Sequence, residues 1–205
     1  MSKRLIFVDY NGVLSYDPFW KSLLDEKHEL NSYLQDIEHY LFKENFHIVI
    51  DWMVGKYNSE EIHKIISDDL NLDYHLLLET FVRDCEQMVI SDLILEKLKP
   101  LKKDFTLILA TGNMDSFDRF TLPNHRYLFE VFDEIHNSYN LGLLKTSNNG
   151  EYFTRVSRKY NIDPNDTYLI DDSGSTCKTF SSFGGKAFKT KTETEVLDVL
   201  TFFYE

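Results

Sequence analysis

The sequence predicts an α/β protein in which a parallel sheet is covered by helices on both faces and is interrupted by one helical insertion. Short runs of consecutive apolar residues recur along the chain, as in parallel strands that are buried on both faces. Stretches with helical periodicity separate these runs. A long strand-poor block directly after the first run predicts the insertion.

The strands and helices of the predicted sheet alternate along the chain. Strands are predicted at residues 5–8, 106–110, 134–136, 168–170 and 186–188, and the pattern at 134–136 is the weakest. Helices are predicted at residues 92–98, 151–160 and 193–203. This alternation favours parallel pairing, because each crossover between parallel strands needs a helix or an equally long connection.

Residues 16–89 carry helical patterns only. Asn58-Ser59-Glu60-Glu61 resembles a capping box, and Asp17-Pro18 suits the first turn of another helix. A block of this length is too long for a single crossover helix. The simplest interpretation is a small all-helical domain at 16–89, inserted into a core formed by 1–15 and 90–205; the alternative is a set of extra helices packed on that core.

Composition and charge exclude several classes of protein. The 205 residues include 42% hydrophobic and 15% aromatic side chains, enough for a packed core. Lys and Arg number 22 against 34 Asp and Glu, a formal net charge of −12, which disfavours nucleic acid and anionic membranes as partners. With only Cys85 and Cys177, and no apolar leader or membrane span, we expect a cytoplasmic protein without disulfides. The histidines show no metal-binding spacing, and the sequence does not predict the oligomeric state.

Residues able to do chemistry follow the predicted strands. In an open parallel sheet the loops at the carboxyl ends of the strands meet in one crevice, where ligands bind. Each residue alone is typical of a turn, a helix cap or a solvated surface. Their common position at strand ends predicts a site, and its candidate members are Asp9, Asn11, Thr111, Gly112, Asn113, Lys145, Asp171, Asp172 and, more weakly, Ser173.

These motifs resemble those of the haloacid dehalogenase-like hydrolase superfamily, in the phosphatase-type branch with a helical (C1-type) cap after the first strand. The resemblance implies a Rossmann-like parallel sheet core with an inserted all-helical cap domain. It also implies a Mg²⁺-dependent phosphomonoesterase acting on a small phosphorylated metabolite. The matching segments are Asp9-Tyr10-Asn11-Gly12-Val13-Leu14, Thr111-Gly112-Asn113, Lys145 after Gly142, and Ile170-Asp171-Asp172-Ser173.

The resemblance also implies a role for each of these residues. Asp9 would attack phosphorus and form an aspartyl-phosphate, which water then cleaves. Asp9, Asp172 and the backbone carbonyl of Asn11 would hold Mg²⁺, with Asp171 supporting the metal indirectly. Lys145 would offset the negative charge of the phosphate. The hydroxyl of Thr111 and the backbone N–H groups of Gly112 and Asn113 would bind phosphate oxygens.

One residue departs from the pattern of the superfamily. Asn11 stands where its phosphatases usually carry an Asp that protonates the leaving group and activates water. General acid–base assistance is worth about 10²–10⁴-fold in rate, and an amide cannot supply it. Three readings follow: a phosphatase for undemanding leaving groups or with a borrowed acid, a weak or inactive phosphate-binding protein, and a metal-independent haloacid dehalogenase. The acidic pair Asp171-Asp172 argues for a cation and against the dehalogenase.

The helical block has aromatic residues with two possible uses. Tyr16, Trp20 and His47 are candidates to face the site and select the substrate. We favour an internal core for most of the aromatic residues, because large apolar side chains are commonly buried. The predicted core residues of the block are Phe19, Trp20, Phe42, Phe46 and Trp52.

Overall fold

A five-stranded parallel sheet forms the centre of the molecule. The computed structural model describes residues 4–204. The strand order is β3-β2-β1-β4-β5, and every pairing is parallel. Each predicted strand is present with its ends within one residue of the prediction, so the α/β class is confirmed. The strands are β1 (Arg4–Val8), β2 (Phe105–Thr111), β3 (Glu134–Asn137), β4 (Thr167–Asp171) and β5 (Lys186–Lys189).

Helices occupy the intervals between the strands. Those between β1 and β2 are α1 (Leu34–His39), α2 (Phe46–Met53), α3 (Ser59–Leu70), α4 (Tyr74–Glu86) and α5 (Asp92–Leu98). Those after β2 are α6 (Leu128–Val131), α7 (Ser138–Leu141), α8 (Glu151–Tyr160), α9 (Gly174–Phe183) and α10 (Glu193–Thr201). Short 3₁₀ segments cover Lys21–Leu24, Asn31–Tyr33, Lys99–Lys103, Leu122–Asn124, Ser147–Asn149 and Pro164–Asp166, and π turns cover Tyr40–Glu44 and Phe117–Thr121. Among these described helices none has the length and apolar character needed to cross a bilayer.

Alternate residues of β1 face the two sides of the sheet, as the two-residue period of a strand requires. Phe7 packs edge-on against Phe153 of α8 and Phe180 of α9, with ring centroids 5.3 and 5.7 Å away. Ile6 and Val8 belong to the buried cluster that includes residues of α5 and α10. The unbroken apolar run in β1 therefore reflects burial on both faces.

The strand order places a switch point next to β1. The chain passes from β1 outward to β2 and β3, and then returns to the other side of β1 to form β4 and β5. Consecutive connections therefore diverge between β1 and β4. A crevice opens at this point beyond the carboxyl ends of the strands, and ligands of open parallel sheets bind there.

Residues 16–89, called the helical segment below, contain no strand. The predicted capping box opens α3: Asn58 Oδ1 accepts a hydrogen bond from the backbone of Glu61 (2.9 Å), and the Glu61 side chain accepts one from the backbone of Asn58 (2.8 Å). The predicted helix start at Asp17-Pro18 is wrong, since these residues are irregular. Asp17 instead accepts hydrogen bonds from Lys21 and from the backbone of Val89 (both 2.8 Å), joining the two ends of the segment. That the segment forms a domain of its own stays a prediction.

An aromatic cluster fills the helical segment. Trp20 and Trp52 are buried and pack around Phe81 of α4 and His63 of α3. The prediction that both tryptophans are core residues is confirmed. The prediction for Phe46 is wrong, because its side chain is half exposed at the start of α2.

Candidate active site

Three carboxylates meet at the switch point of the sheet. Asp9 directly follows β1, Asp171 ends β4, and Asp172 comes next. One oxygen of each lies within 4.8 Å of the others. Asp9 and Asp171 are buried, whereas Asp172 is exposed. Two segments of chain more than 160 residues apart thus combine their acidic groups, because β1 and β4 are paired neighbours.

Lys145 reaches this group from the loop that follows α7. Gly142 ends α7 with a positive φ of 61°, a backbone conformation that glycine adopts without strain. The Lys145 ammonium contacts Asp9 Oδ2 at 2.8 Å, Asp171 Oδ2 at 2.6 Å and the carbonyl of Ala110 at 3.1 Å. Burial alone would lower the pKa of Lys145, but the two carboxylates outweigh it and raise that pKa. Lys145 is therefore a fixed positive charge whose three donors are all in use.

The surroundings of Asp9 contain too little positive charge to balance the carboxylates of the site. Its Oδ1 accepts a hydrogen bond from the backbone of Tyr10 (2.8 Å), and Lys145 contacts its other oxygen. Burial raises the pKa of Asp9 to about 7; the charge of Asp171 adds to the increase and Lys145 opposes it. Burial, with the nearby Asp171, also raises the pKa of Asp172. One ammonium among three carboxylates leaves an excess of negative charge that a cation would offset.

These residues fit a hard divalent cation such as Mg²⁺, which takes carboxylate and carbonyl oxygens as ligands. Both oxygens of Asp171 are engaged, one by Lys145 and one by the backbone N–H of Ser173 (2.8 Å). Asp9 and Asp172, unlike Asp171, line the cleft described below, so they are the more accessible ligands. Gly12 allows the loop to approach them, since its φ is +74° and a Cβ there would lie 2.7 Å from the Asp172 carboxylate.

The end of β2 contributes a hydroxyl and two loop residues. Thr111 is buried, and its Oγ1 has no hydrogen-bond partner among residues 4–204. An unpartnered hydroxyl in the interior is costly unless a ligand or water completes it. The backbone N–H of Asn113 donates to Ser138 Oγ at 3.1 Å and is therefore already engaged. Asn113 meets the site through its side chain, which donates from Nδ2 to Asn11 Oδ1 at 2.9 Å.

A cleft of about 270 Å³ opens beside these groups. The helical segment contributes Met53, at the end of α2, as one wall; a Cβ on Gly112 would come within 3.2 Å of its methyl carbon. Trp20 is buried elsewhere, and neither Tyr16 nor His47 is a wall. The sequence carries no signal that singles out Met53. The walls of the cleft are Asp9, Asn11, Gly12, Met53, Gly112, Lys145, Asp172, Ser173 and Thr176.

Another buried carboxylate, Asp115, connects the helical segment to the core next to the cleft. Its oxygens accept hydrogen bonds from Trp52 Nε1 (2.7 Å) and from Ser59, through both the backbone N–H (3.0 Å) and the hydroxyl (2.9 Å). Arg119 donates to it at 2.6 Å and also pairs with Glu60. We call these five residues the Asp115 cluster. Sequence reasoning missed it, because each member is an ordinary polar or aromatic residue in its own segment.

Solved structures share this fold over almost the whole chain. A predicted HAD-like family hydrolase from Porphyromonas gingivalis matches with a TM-score of 0.74 at 19% identity, covering 100% of both chains. The HAD family enzyme bt-2542 from Bacteroides thetaiotaomicron matches with a TM-score of 0.72 at 18% identity, covering 92% of this chain and 94% of that one, and it has also been solved with magnesium and inorganic phosphate. The L-2-haloacid dehalogenase PA0810 matches with a TM-score of 0.64 at 16% identity, over 95% of this chain and 87% of that one. No protein-family model and no curated protein matches the sequence.

The chain therefore has the fold of the haloacid dehalogenase-like superfamily, as its motifs predicted. A predicted HAD-like hydrolase and haloacid dehalogenases share this fold, so the fold alone does not establish the activity. The assignment of an activity rests on the residues of the cleft.

Proposed function

We propose that the chain is a Mg²⁺-dependent phosphohydrolase that acts on a small phosphorylated metabolite through an aspartyl-phosphate on Asp9. The observation that carries the proposal is the buried Asp9–Lys145–Asp171 group, with Asp172 beside it, on the same cleft. The unpartnered hydroxyl of Thr111 adds a donor for a phosphate oxygen. The magnesium and phosphate in the related bt-2542 structure support this choice of ligands.

The charged residues of the site and the backbone of Asn11 each have a task in this mechanism. A carboxylate oxygen of Asp9 forms a bond to phosphorus while the bond to the leaving oxygen breaks, and water then cleaves the aspartyl-phosphate. Lys145 orients Asp9 and offsets the charge of the incoming phosphate. Mg²⁺ would be held by Asp9, Asp172 and the carbonyl of Asn11. Asp171 would support the metal site indirectly. Bound Mg²⁺ would supply positive charge to the phosphate and favour the ionised form of Asp9.

The test is hydrolysis of 4-nitrophenyl phosphate with and without Mg²⁺. We expect Mg²⁺-dependent turnover that falls by about 10⁴-fold or more in Asp9→Asn, the scale seen when a nucleophile is removed. Asp198→Asn is the matched control, because Asp198 is exposed on α10 and lies outside the walls of the cleft. We expect this control to retain the wild-type rate.

Two other results would contradict this proposal and indicate a different function. Halide release from a 2-haloacid without metal would indicate a dehalogenase, the activity named for the neighbour PA0810. Binding of Mg²⁺ and phosphate without turnover of any phosphate compound would indicate a phosphate-binding protein, which Asn11 leaves open.

A further inference from the structure

The side chain of Asn11 has one orientation that satisfies its neighbours. Met114 has a backbone N–H that donates to the Asn113 side chain at 2.8 Å, so the atom it meets must be the oxygen Oδ1. The amide nitrogen of Asn113 therefore faces Asn11 at 2.9 Å, and the Asn11 atom that it meets must be the oxygen. The NH₂ group of Asn11 is turned the other way.

This NH₂ group lies at the cleft. Asn11 is one of the walls, and its nitrogen has no protein partner among residues 4–204. This unpartnered nitrogen is also not buried, so it is accessible to solvent on a residue that lines the cleft. Asn11 thus offers a fixed hydrogen-bond donor two residues after the proposed nucleophile.

No other wall of the cleft, within the described residues, supplies a proton for a leaving group. Asp9 and Asp172 are the proposed metal ligands, and the three donors of Lys145 are committed. The remaining polar walls, Ser173 and Thr176, carry only alcohols, which do not ionise near neutral pH. Alkoxide leaving groups need a proton as the bond to phosphorus breaks, whereas carboxylate leaving groups do not.

We propose that this site, if the proposed function holds, is built for acyl phosphates, and that Asn113 positions Asn11 to donate a hydrogen bond to the departing carboxylate. An oxygen of Asp9 bonds to phosphorus, and the bond between phosphorus and the acyl oxygen breaks. The electron pair of that bond leaves on the carboxylate, which needs no proton. Water then bonds to phosphorus, the bond to Asp9 breaks, and the protons of the water leave with inorganic phosphate. The cleft of about 270 Å³ is slightly smaller than pockets for drug-sized ligands, about 300–1,000 Å³, and suits a short acyl chain.

The experiment compares kcat/KM for acetyl phosphate, phenyl phosphate and ethyl phosphate in the wild type and in Asn11→Asp. The wild type should cleave acetyl phosphate far faster than ethyl phosphate. Asn11→Asp should fold, because an aspartate oxygen accepts the same hydrogen bond from Asn113. We expect it to raise kcat/KM for ethyl phosphate by about 10²–10⁴-fold and to lower that for acetyl phosphate by about tenfold, because the amide donor to the departing carboxylate is lost. Gln35→Glu on α1, exposed and outside the cleft, adds the same charge and should keep the wild-type preference.

Asn113→Ala tests the positioning role. It should lower kcat for acetyl phosphate by about tenfold with little change in KM, the scale of one lost hydrogen bond, because Asn11 is then free to turn. Asn113→Gln, which can still donate an amide hydrogen, should restore part of kcat. Lower thermal stability with kcat unchanged would show that Asn113 is only structural and would overturn its positioning role.

The outcomes separate this inference from the proposed function. Mg²⁺-dependent, Asp9-dependent hydrolysis of ethyl phosphate by the wild type as fast as that of acetyl phosphate would overturn the inference and leave the proposed function intact. An unchanged ethyl phosphate rate in Asn11→Asp would do the same. Absence of hydrolysis of all three compounds would overturn both.

Discussion

Two buried carboxylates, Asp9 in the cleft and Asp115 beside the helical segment, lie in opposite electrostatic settings. Asp115 accepts four hydrogen bonds, which come from Trp52, Ser59 and Arg119. Asp9 accepts one from the backbone of Tyr10 and shares Lys145 with Asp171. Groups of the protein thus satisfy the hydrogen-bonding capacity of Asp115. Asp9 receives fewer hydrogen bonds and can accept further contacts from a bound ligand or cation.

This difference distinguishes a structural acid from a reactive one. A carboxylate that is saturated by donors has no lone pair to offer, and its removal strands those donors. A buried carboxylate with too few donors favours ligands that bring positive charge, and perturbed groups of this kind concentrate in functional clefts. We therefore expect changes at Asp115 to act on stability, and changes at Asp9 to act on chemistry.

The largest effect on stability should come from Asp115→Ala. The substitution leaves the Trp52 indole, the Ser59 backbone and Arg119 without their common acceptor, and we expect a loss of about 3–5 kcal/mol in the free energy of unfolding. Asp9→Ala should cost about 1 kcal/mol or less, because Lys145 keeps Asp171 and the Ala110 carbonyl. Urea denaturation followed by circular dichroism measures both. Equal losses at the two positions would contradict the distinction.

Acid should lower the stability of the folded protein through His63, which lies close to the Asp115 cluster. This imidazole packs against Trp52, and its Nδ1 donates to the carbonyl of Ser59 at 2.6 Å. Burial lowers the pKa of His63 from 6.5 to about 4, against the opposing charges of Asp115 and Glu60. The unfolded chain therefore binds a proton that the folded chain does not, so stability is complete above pH 6.5 and is lost as pH falls toward 4.

The loss attributable to His63 reaches about 3 kcal/mol at the lower end of that window. His63→Gln removes this titration and keeps a donor for Ser59. We expect the urea midpoint of the wild type to fall more steeply than that of His63→Gln between pH 6.5 and 4. Parallel curves would show that His63 does not contribute.

Magnesium should stabilise the cleft and leave the Asp115 cluster unaffected. A ligand that binds only the folded state at a hundred times its dissociation constant adds about 2.7 kcal/mol, which differential scanning calorimetry detects as a higher melting temperature. Asp172→Asn should remove most of this response, because Asp172 is a carboxylate of the cluster and lines the cleft. A wild-type melting temperature that does not change when Mg²⁺ is added would contradict the proposed cation site.

The smallest effect should come from Glu60→Gln, at the outer edge of the Asp115 cluster. Glu60 is 42% exposed in its pair with Arg119, and the Arg119 hydrogen bonds lower the pKa of Glu60. Exposed ion pairs contribute up to about 1 kcal/mol to the free energy of unfolding. Arg119 still forms its ion pair with Asp115 after the substitution. A loss as large as that of Asp115→Ala would mean that Glu60, rather than the buried carboxylate, organises the cluster.

Local patterns of the chain predicted the five strands and several of the helices. The apolar runs predicted all five strands, and the capping box at Asn58 predicted the start of α3, because both signals depend on neighbouring residues. The pair Asp17-Pro18 failed as a helix start, since the Asp17 carboxylate binds Lys21 and the distant backbone of Val89 instead. A local sequence pattern cannot predict that a capping side chain will form its hydrogen bond with a residue far along the chain.

For the site, the sequence by itself determined which chemical groups end the parallel strands, and hence that Asp9, Thr111 and Asp171 share one edge of the sheet. Only the tertiary structure decided what surrounds them: the wall at Met53, the hydrogen bond that turns the Asn11 amide, and the four donors on Asp115. The physical reason is the range of the interactions. Strand and helix patterns arise within a few residues, whereas these contacts join side chains far apart in the sequence, which meet only when the strands pair and the helical segment packs on the sheet.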